Sequence, residues 1–352
     1  MDGQADGDAA DPVAPEVRTT FLRPDWEILA RCWYPIVRDA DLGNDPTGVV
    51  LLDQELVVYR AGSEVVIAPD ICPHRGVPLS AGKGDGASVQ CAYHGLRFAG
   101  AGVCVHVPAH PAAKIPTRLR LQTFPAQLRF GLWWTCLRPD PATAGDIPTM
   151  PGWDEPGYQC VTCPGFDVAA FAGRQVEGFI DVAHFAFIHT DTFADPADVE
   201  VPAYNPVATE SGLSFDYWST VANFPRGSGL SAPDGFRWLR RFEVHLPFTA
   251  GLVVHFPDDG RLSILNAASP VSARWTRMFC SVAKNFAVDQ PESEILAFNE
   301  RIFTEDRRIV EIQRPENLPL DPRIEVNIPA DRSSVAYRRG LRAMGLSQFF
   351  TA

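Results

Sequence analysis

Two short loops and one helical stretch hold the side chains best suited to redox or metal chemistry. From Cys72 to His94 the chain reads CPHRGVPLSAGKGDGASVQCAYH, giving Cys72-x-His74 and Cys91-x-x-His94. Each loop offers one thiolate and one imidazole. Structural zinc sites commonly draw two cysteines from one loop or two histidines from one helix, and the mixed pairs are unlike that pattern. They suit a Rieske-type 2Fe-2S centre, in which two thiolates hold one iron, two imidazoles hold the other, and each loop bridges both. A zinc site and a chance grouping of four core residues are the competing readings. Gly76 and Pro78 after the first pair, and Gly95 after the second, are residue types that let a loop backbone approach a cluster and turn N–H groups toward its sulfurs. Such a centre carries one electron at a time.

A second constellation lies in EGFIDVAHFAFIH. Glu177, Asp181 and His184 follow helical spacing on one face, and His189 falls five residues beyond His184, off that face. The helix must therefore break or bulge if both imidazoles are to meet one metal. Two histidines and one carboxylate with open positions form the facial triad of non-haem Fe(II) oxygenases. The alternative is a pair of core histidines amid Phe179, Phe185 and Phe187, but Asp181 would then be buried with them and would need a partner. For the third ligand the last helical segment offers Asp306, in the middle of a stripe of Ile295, Phe298, Ile302, Ile309 and Gln313, whereas Glu305 and Glu311 are expected to point elsewhere. An arginine partner for Asp306 is the competing reading.

The elements that would position these residues come in two blocks. VVLL, LVVY and VVIA, separated by turn-like DQE and AGS, have the rhythm of an antiparallel β domain, with a short helix in DWEILARCWYPI before them and strand candidates in RLRLQTF and FGLWWTCL after. PDPATAGDIPTMPGWDEPG marks a boundary. A helix is expected over residues 169–188, then strands in LSFDYWSTVAN, FRWLRRFEVHL, AGLVVHF, RLSILNA and WTRMFCSVAKNF, then a helix in PESEILAFNERIFTEDRRIVEIQ and a basic ending, RSSVAYRRGLRAMG. This order predicts an α+β layer fold. The divisions are a disordered acidic tail over 1–20, an all-β domain over 21–150 and a second domain over 151–352.

Charge and composition narrow the partners. The 352 residues carry 43 acidic against 31 basic side chains, a net charge of -12, which disfavours nucleic acid and anionic membrane surfaces. No apolar run approaches a membrane span, and the start lacks a signal-peptide pattern. Eight cysteines are too few for a disulfide scaffold of this length, so a reducing compartment, the cytoplasm, is expected.

The motifs together resemble the α subunits of Rieske-type non-haem iron oxygenases. HGLRF follows the second loop, with Leu96 where the family usually has tryptophan and Ala92 where it has proline, departures that bear on packing and potential rather than ligation. DVAHFAFIH matches the family's Asp-x-x-His-x-x-x-x-His, and FTEDRRIVEIQ matches its C-terminal FxEDxxxxExQ. The residues after His189 and the YRRGLR ending resemble methylxanthine N-demethylases in particular.

The resemblance implies an N-terminal Rieske domain with Cys72, His74, Cys91 and His94 as cluster ligands, and a helix-grip, START-like catalytic domain with mononuclear Fe(II) on His184, His189 and Asp306. It implies a head-to-tail homotrimer in which Asp181 links His94 of one subunit to His184 of the next; an acceptor one turn before His184 could fix that ring's tautomer. Electrons would come from NAD(P)H through a separate flavin/iron-sulfur reductase or ferredoxin. With O2 the enzyme would hydroxylate, or oxidatively N- or O-demethylate, a small aromatic or heteroaromatic substrate. Arene cis-dihydroxylation is the rival reaction, and a Rieske electron carrier with a non-catalytic binding domain the rival outside enzymology.

Other signals weigh less. Cys160-x-x-Cys163 lacks a second pair, Cys104 and His106 fit strand alternation, and AGKGDG reads as a turn rather than a phosphate loop. Trp133, Trp134 and Trp238 read as core. RWLRR reads as a solvated edge or an attractor for an acidic reductase. The pocket is expected among strands after residue 212, gated by the loop from Thr190 to Pro206, with Asn266 or His255 available to orient a ring.

Overall fold

The computed structural model describes residues 19–140, 147–225, 231–321 and 323–347; residues 1–18 of the expected tail lie outside this range. The N-terminal part opens with helix α1 (Arg23–Leu29) and continues through strands β1 (Tyr34–Arg38), β2 (Thr47–Leu51), β3 (Gln54–Ala61), β4 (Glu64–Pro69), β5 (Lys83–Gly84), β6 (Val89–Gln90), β7 (Arg97–Phe98), β8 (Cys104–His106), β9 (Gln127–Arg129) and β10 (Leu132–Thr135). These make three small antiparallel sheets, β2-β3-β4, β5-β6-β7-β8 and β1-β10-β9. The β2–β3 hairpin closes on Leu52 and Asp53, both with positive φ (52° and 62°), as a two-residue turn that matches strand twist requires. The sequence places a turn over AGKGDG; instead Lys83 and Gly84 pair with Val89 and Gln90, and the turn falls after them. RLRLQTF forms no strand and contributes two isolated bridges, Val103 to Arg120 and Ile67 to Phe124.

The C-terminal part is one antiparallel sheet of eight strands with helices on one face. In chain order its elements are β11 (Gln159–Thr162), β12 (Phe166–Val168), α2 (Ala172–Ile180), α3 (Phe185–Ile188), β13 (Val207–Ala208), β14 (Gly212–Ser219), β15 (Trp238–His245), β16 (Thr249–His255), β17 (Arg261–Ser272), β18 (Trp275–Lys284), α4 (Glu292–Val310) and α5 (Arg332–Ala343). The strands run β11-β18-β17-β16-β15-β14-β13, with β12 also on β18. This is the expected α+β arrangement. β17 alternates between two cores: Leu265 and Ala267 pack with Trp33, Phe130 and Trp134 of the N-terminal part, while Ile264 and Ala268 face the helices. The sheet thus joins both halves of the chain, and Trp134 and Trp238 are core, at 0% and 1% exposure. Trp133 is only half-buried, with its Nε1 donating to Asp39 Oδ1 (2.7 Å).

Candidate metal centres and cavity

The two cysteine-histidine loops have the same backbone design. In the first, Cys72 N donates to Val77 O (2.9 Å) and Gly76 N to Cys72 O (2.9 Å); in the second, Cys91 N donates to Leu96 O (2.9 Å) and Gly95 N to Cys91 O (3.1 Å). Gly76 and Gly95 sit at φ of 73° and 71°, left-handed backbone that L side chains adopt only with strain. A side chain at Gly95 would also meet Pro108. The twin turns bury both thiols, at 3% and 2% exposure, and leave both imidazoles at the surface with ring centroids 4.6 Å apart. Burial, with the Cys91 thiol alongside, pushes the Cys72 thiol up to about 11, so a cation is what would hold it as thiolate. Two soft donors inside and two imidazoles outside is the donor set a Rieske cluster needs. Leu96, in the position of the family's tryptophan, is buried in the same core as both cysteines.

In the C-terminal part the helix does break, but ahead of His184 rather than between the two histidines, which a helical turn joins (Ile188 N to His184 O, 2.9 Å). α2 ends at Ile180, Asp181 takes extended backbone (ψ 128°), and α3 begins after His184. The expected single helix over 169–188 is therefore two, and Glu177 does not share a face with Asp181 and His184. Its carboxylate is bound by Arg338 (2.6 and 2.7 Å), away from the histidines. His184 Nε2 and His189 Nε2 lie 3.0 Å apart, and Asp306 Oδ1 lies 3.6 and 3.1 Å from them. Three donors about 2.1 Å from one ion at right angles would be spaced by about 3.0 Å, so the set fits one face of an octahedron. The second nitrogens strengthen this. His189 Nδ1 is 2.8 Å from Glu305 Oε2; donating there leaves the Nε2 lone pair pointing at the other two donors. No arginine or lysine among the described residues pairs with Asp306, which removes the arginine reading. His184, His189 and Asp306 could accordingly hold a metal ion.

Of the two rings only His189 has a carboxylate within hydrogen-bond reach of its second nitrogen. Asp181 Oδ2 lies 3.8 Å from His184 Nδ1, beyond hydrogen-bond reach, and its Oδ1 accepts from Ala183 N (2.7 Å). Burial raises the Asp181 pKa, but His184 and nearby backbone N–H groups outweigh it and leave the acid below its ordinary value. Burial likewise lowers His189, yet Asp306 and Glu305 outweigh it and raise the ring's pKa. Glu305, expected to point elsewhere, is the main correction in this centre: it accepts from Thr192 Oγ1 (2.8 Å) as well as facing His189. The available signal was an acid beside Asp306 on the helix facing the two histidines.

A cavity of about 580 Å³ opens beside the two histidines and Asp306. Its walls are mostly apolar, with Phe179, Phe185, Phe193, Phe224 and Phe303 presenting rings and Arg240, Asn223 and Asn299 presenting polar groups. Strands after residue 212 do contribute, as expected, through Arg240, Leu252, Ile264 and Val282, but Asn266 and His255 do not line it. RWLRR is not a uniform solvated edge: Arg241 is exposed and paired with Asp216 (2.8 Å), while Arg240 is buried at 1% exposure in the cavity wall. Residues 190–206 form no helix or strand. Thr192 fastens one end of this segment at Glu305 and Tyr204 the other, through its hydroxyl to Ala330 O (2.6 Å).

A family model for the Rieske 2Fe-2S domain matches residues 32–125, and one for the vanillate O-demethylase oxygenase C-terminal domain matches residues 168–346. Methylxanthine N1-demethylase NdmA of Pseudomonas putida is 32% identical over 332 residues, 92% of this chain and 91% of that protein. The oxygenase component of dicamba O-demethylase from Stenotrophomonas maltophilia is 30% identical over 315 residues, 83% of this chain and 88% of that one. The solved structure of Pseudomonas putida CBB5 NdmA with caffeine superposes with a TM-score of 0.79 at 30% identity, covering 90% of this chain and 91% of that one. The chain belongs to the Rieske non-haem iron oxygenases, a family of oxidoreductases. Residues 32–125 are a Rieske 2Fe-2S domain, and residues 168–346 are of the vanillate O-demethylase oxygenase type. No helix among the described residues is long and apolar enough to cross a membrane.

Proposed function

We propose that this chain is the terminal oxygenase of a monooxygenase that hydroxylates, or oxidatively N- or O-demethylates, a small aromatic or heteroaromatic substrate. Residues 21–150 then form the electron-accepting domain and 151–352 the catalytic one. The observation that carries the reading is the convergence of His184, His189 and Asp306 at 3.0 to 3.6 Å beside a ring-lined cavity. Cys72, His74, Cys91 and His94 would hold the cluster, and the triad would hold Fe(II). With both bound, the metals supply single-electron delivery and O2 activation.

The chain's own residues do the rest. The phenyl rings exclude water and orient a flat ligand with its reacting edge toward the triad. Glu305 holds the proton on His189 Nδ1, and Asp181 does so for His184 when the pair closes from 3.8 Å. Asn299 lines the cavity with its side-chain nitrogen donating to Ile295 O (2.8 Å), so its amide oxygen would be the acceptor for a ring N–H or hydroxyl. The segment over 190–206, tied at Thr192 and Tyr204, serves as the gate. For a methyl group the balance is one O2, two electrons and two protons, giving water and a hydroxymethyl that releases formaldehyde. Electrons come from NAD(P)H through a separate reductase, and the exposed His74 and His94, with the half-buried Asp181 beside the triad, favour transfer across a subunit contact of a homotrimer.

Formaldehyde release from methylated aromatics, measured with a surrogate flavin/iron-sulfur reductase, tests the reading. Asp306→Ala is expected to abolish release and remove the mononuclear iron while the cluster's EPR signal persists. A protein that never binds iron beyond its cluster would be a carrier, and a cis-diol product would make it a dioxygenase.

A further inference from the structure

Along β15 the side chains facing the helices are Trp238, Arg240, Phe242 and Val244, all buried. Three are apolar, as an inner face requires, and the fourth is a guanidinium. Its hydrogen bonds all go to neutral acceptors: Nη1 donates to Ser219 Oγ (3.0 Å), and Nη2 to Val221 O (2.8 Å), Ala222 O (3.3 Å) and Asn223 Oδ1 (3.0 Å). Among the described residues no carboxylate lies within ion-pair distance of it, although both other buried arginines have one, Arg174 and Arg338 sharing Glu177 and Glu325. Burial draws its pKa down, to about 10, which leaves it cationic at neutral pH.

This uncompensated cation lines the cavity beside the candidate metal ligands. Its guanidinium carbon is 5.4 Å from the Phe185 ring, and that ring is 4.9 Å from His184. A buried charge without a counter-ion is costly, and a ligand that brings the missing charge recovers the cost on binding. We propose that Arg240 is the anchor for a carboxylate on the substrate, so that this oxygenase acts on an aromatic acid rather than on a neutral heterocycle. With both Nη2 hydrogens taken by three oxygens, the second N–H of Nη1 is left to donate a charge-assisted bond to a carboxylate oxygen. A phosphate dianion is disfavoured, since the other buried cation of the wall, Lys284, is committed to Ala287 O and Gln290 Oε1. The inference rests on the cavity being the substrate site, as proposed above. It separates this chain from the relative solved with caffeine, which is an uncharged ligand.

Calorimetric binding to the iron-loaded, cluster-containing protein tests it without turnover. The probes are 2-, 3- and 4-methoxybenzoate, each against the matching methoxybenzamide, with caffeine as a neutral heterocycle. At least one acid is expected to bind ten-fold or more tighter than its amide. Arg240→Gln should erase that preference, Arg240→Lys should keep part of it, and Lys284→Gln should leave it unchanged. Amides or caffeine binding as well as the acids, no acid binding at all, or a preference that follows Lys284 instead would each overturn the proposal. Should Arg240→Gln fail to fold, the acid-to-amide comparison in the unaltered protein still decides. Failure of the proposed oxygenase activity would show separately, as bound acid that yields no formaldehyde.

Discussion

Glu305 is the residue on which metal affinity is expected to turn, beyond the three candidate ligands. By accepting from both His189 Nδ1 and Thr192 Oγ1 it fixes the ring's tautomer and its rotation at once. Removing such an outer partner typically costs about 10- to 100-fold in metal affinity. Glu305→Ala should therefore lower Fe(II) affinity by that factor, read in a metal titration followed by iron analysis, with the cluster spectrum unchanged; Thr192→Val should cost less. Asp306 could be found in the sequence because it interrupts an apolar stripe, whereas Glu305 could not. Adjacent helix positions point about 100° apart, so a helix that turns Asp306 inward is expected to turn Glu305 outward. Both reach because His189 presents its two nitrogens to two successive residues of α4, Nε2 to Asp306 and Nδ1 to Glu305. Arg240 was hidden for the opposite reason: RWLRR reads as surface charge until strand alternation separates exposed Arg241 from buried Arg240.

At the scale of elements, the triad depends on where α2 stops. The end of α2 is held by Ser333 of α5, whose Oγ donates to Ile180 O (2.9 Å), and by a buried four-charge network. Arg338 of α5 grips Glu177 of α2 with two bonds and reaches Glu325 (2.6 Å), which Arg174 also binds. Breaking a buried pair from one side costs about 3–5 kcal/mol, so Arg338→Ala should destabilise by that order in denaturant unfolding and loosen the His184 segment with it. The network also gives stability a pH dependence. Burial raises the Glu325 pKa, but Arg174 and Arg338 outweigh it, and the acid stays below the ordinary carboxylate range. Its contribution is therefore complete above the unfolded carboxylate pKa of about 4.3 and is lost as pH falls through the lower folded value. Glu325→Gln should flatten the acid limb of a stability–pH curve in that window and leave the neutral region parallel. The five-residue histidine spacing calls for a break beyond His184 and so does not locate the one after Ile180, and the clamp leaves no local mark because Arg338 and Glu177 are 161 positions apart. Strands β11 and β12 are four and three residues long with Pro164 between them, too short for alternation to mark them in the sequence.

For the whole molecule, the seam between the two halves is built like a core. Ser281 Oγ and Thr162 Oγ1 both donate to Phe130 O (2.7 and 2.9 Å), Leu52 N donates to Pro270 O (2.7 Å), and Trp134 packs with Leu265 and Phe279. So many buried contacts leave little room for the Rieske domain to swing toward its own catalytic cavity, and the exposed His74 and His94 are free to meet a neighbouring subunit instead. The proposed trimer turns this into a complementation test. Cys91→Ser should lose the cluster and keep the triad, and Asp306→Ala should do the reverse, so each alone is inactive. Co-expressed one to one, they form mixed trimers in which an intact cluster faces an intact triad at about a quarter of contacts under random assembly. If electrons cross between subunits, mixed enzyme should recover formaldehyde release at about that fraction of the unaltered rate, whereas transfer confined to one chain requires that mixing recover none.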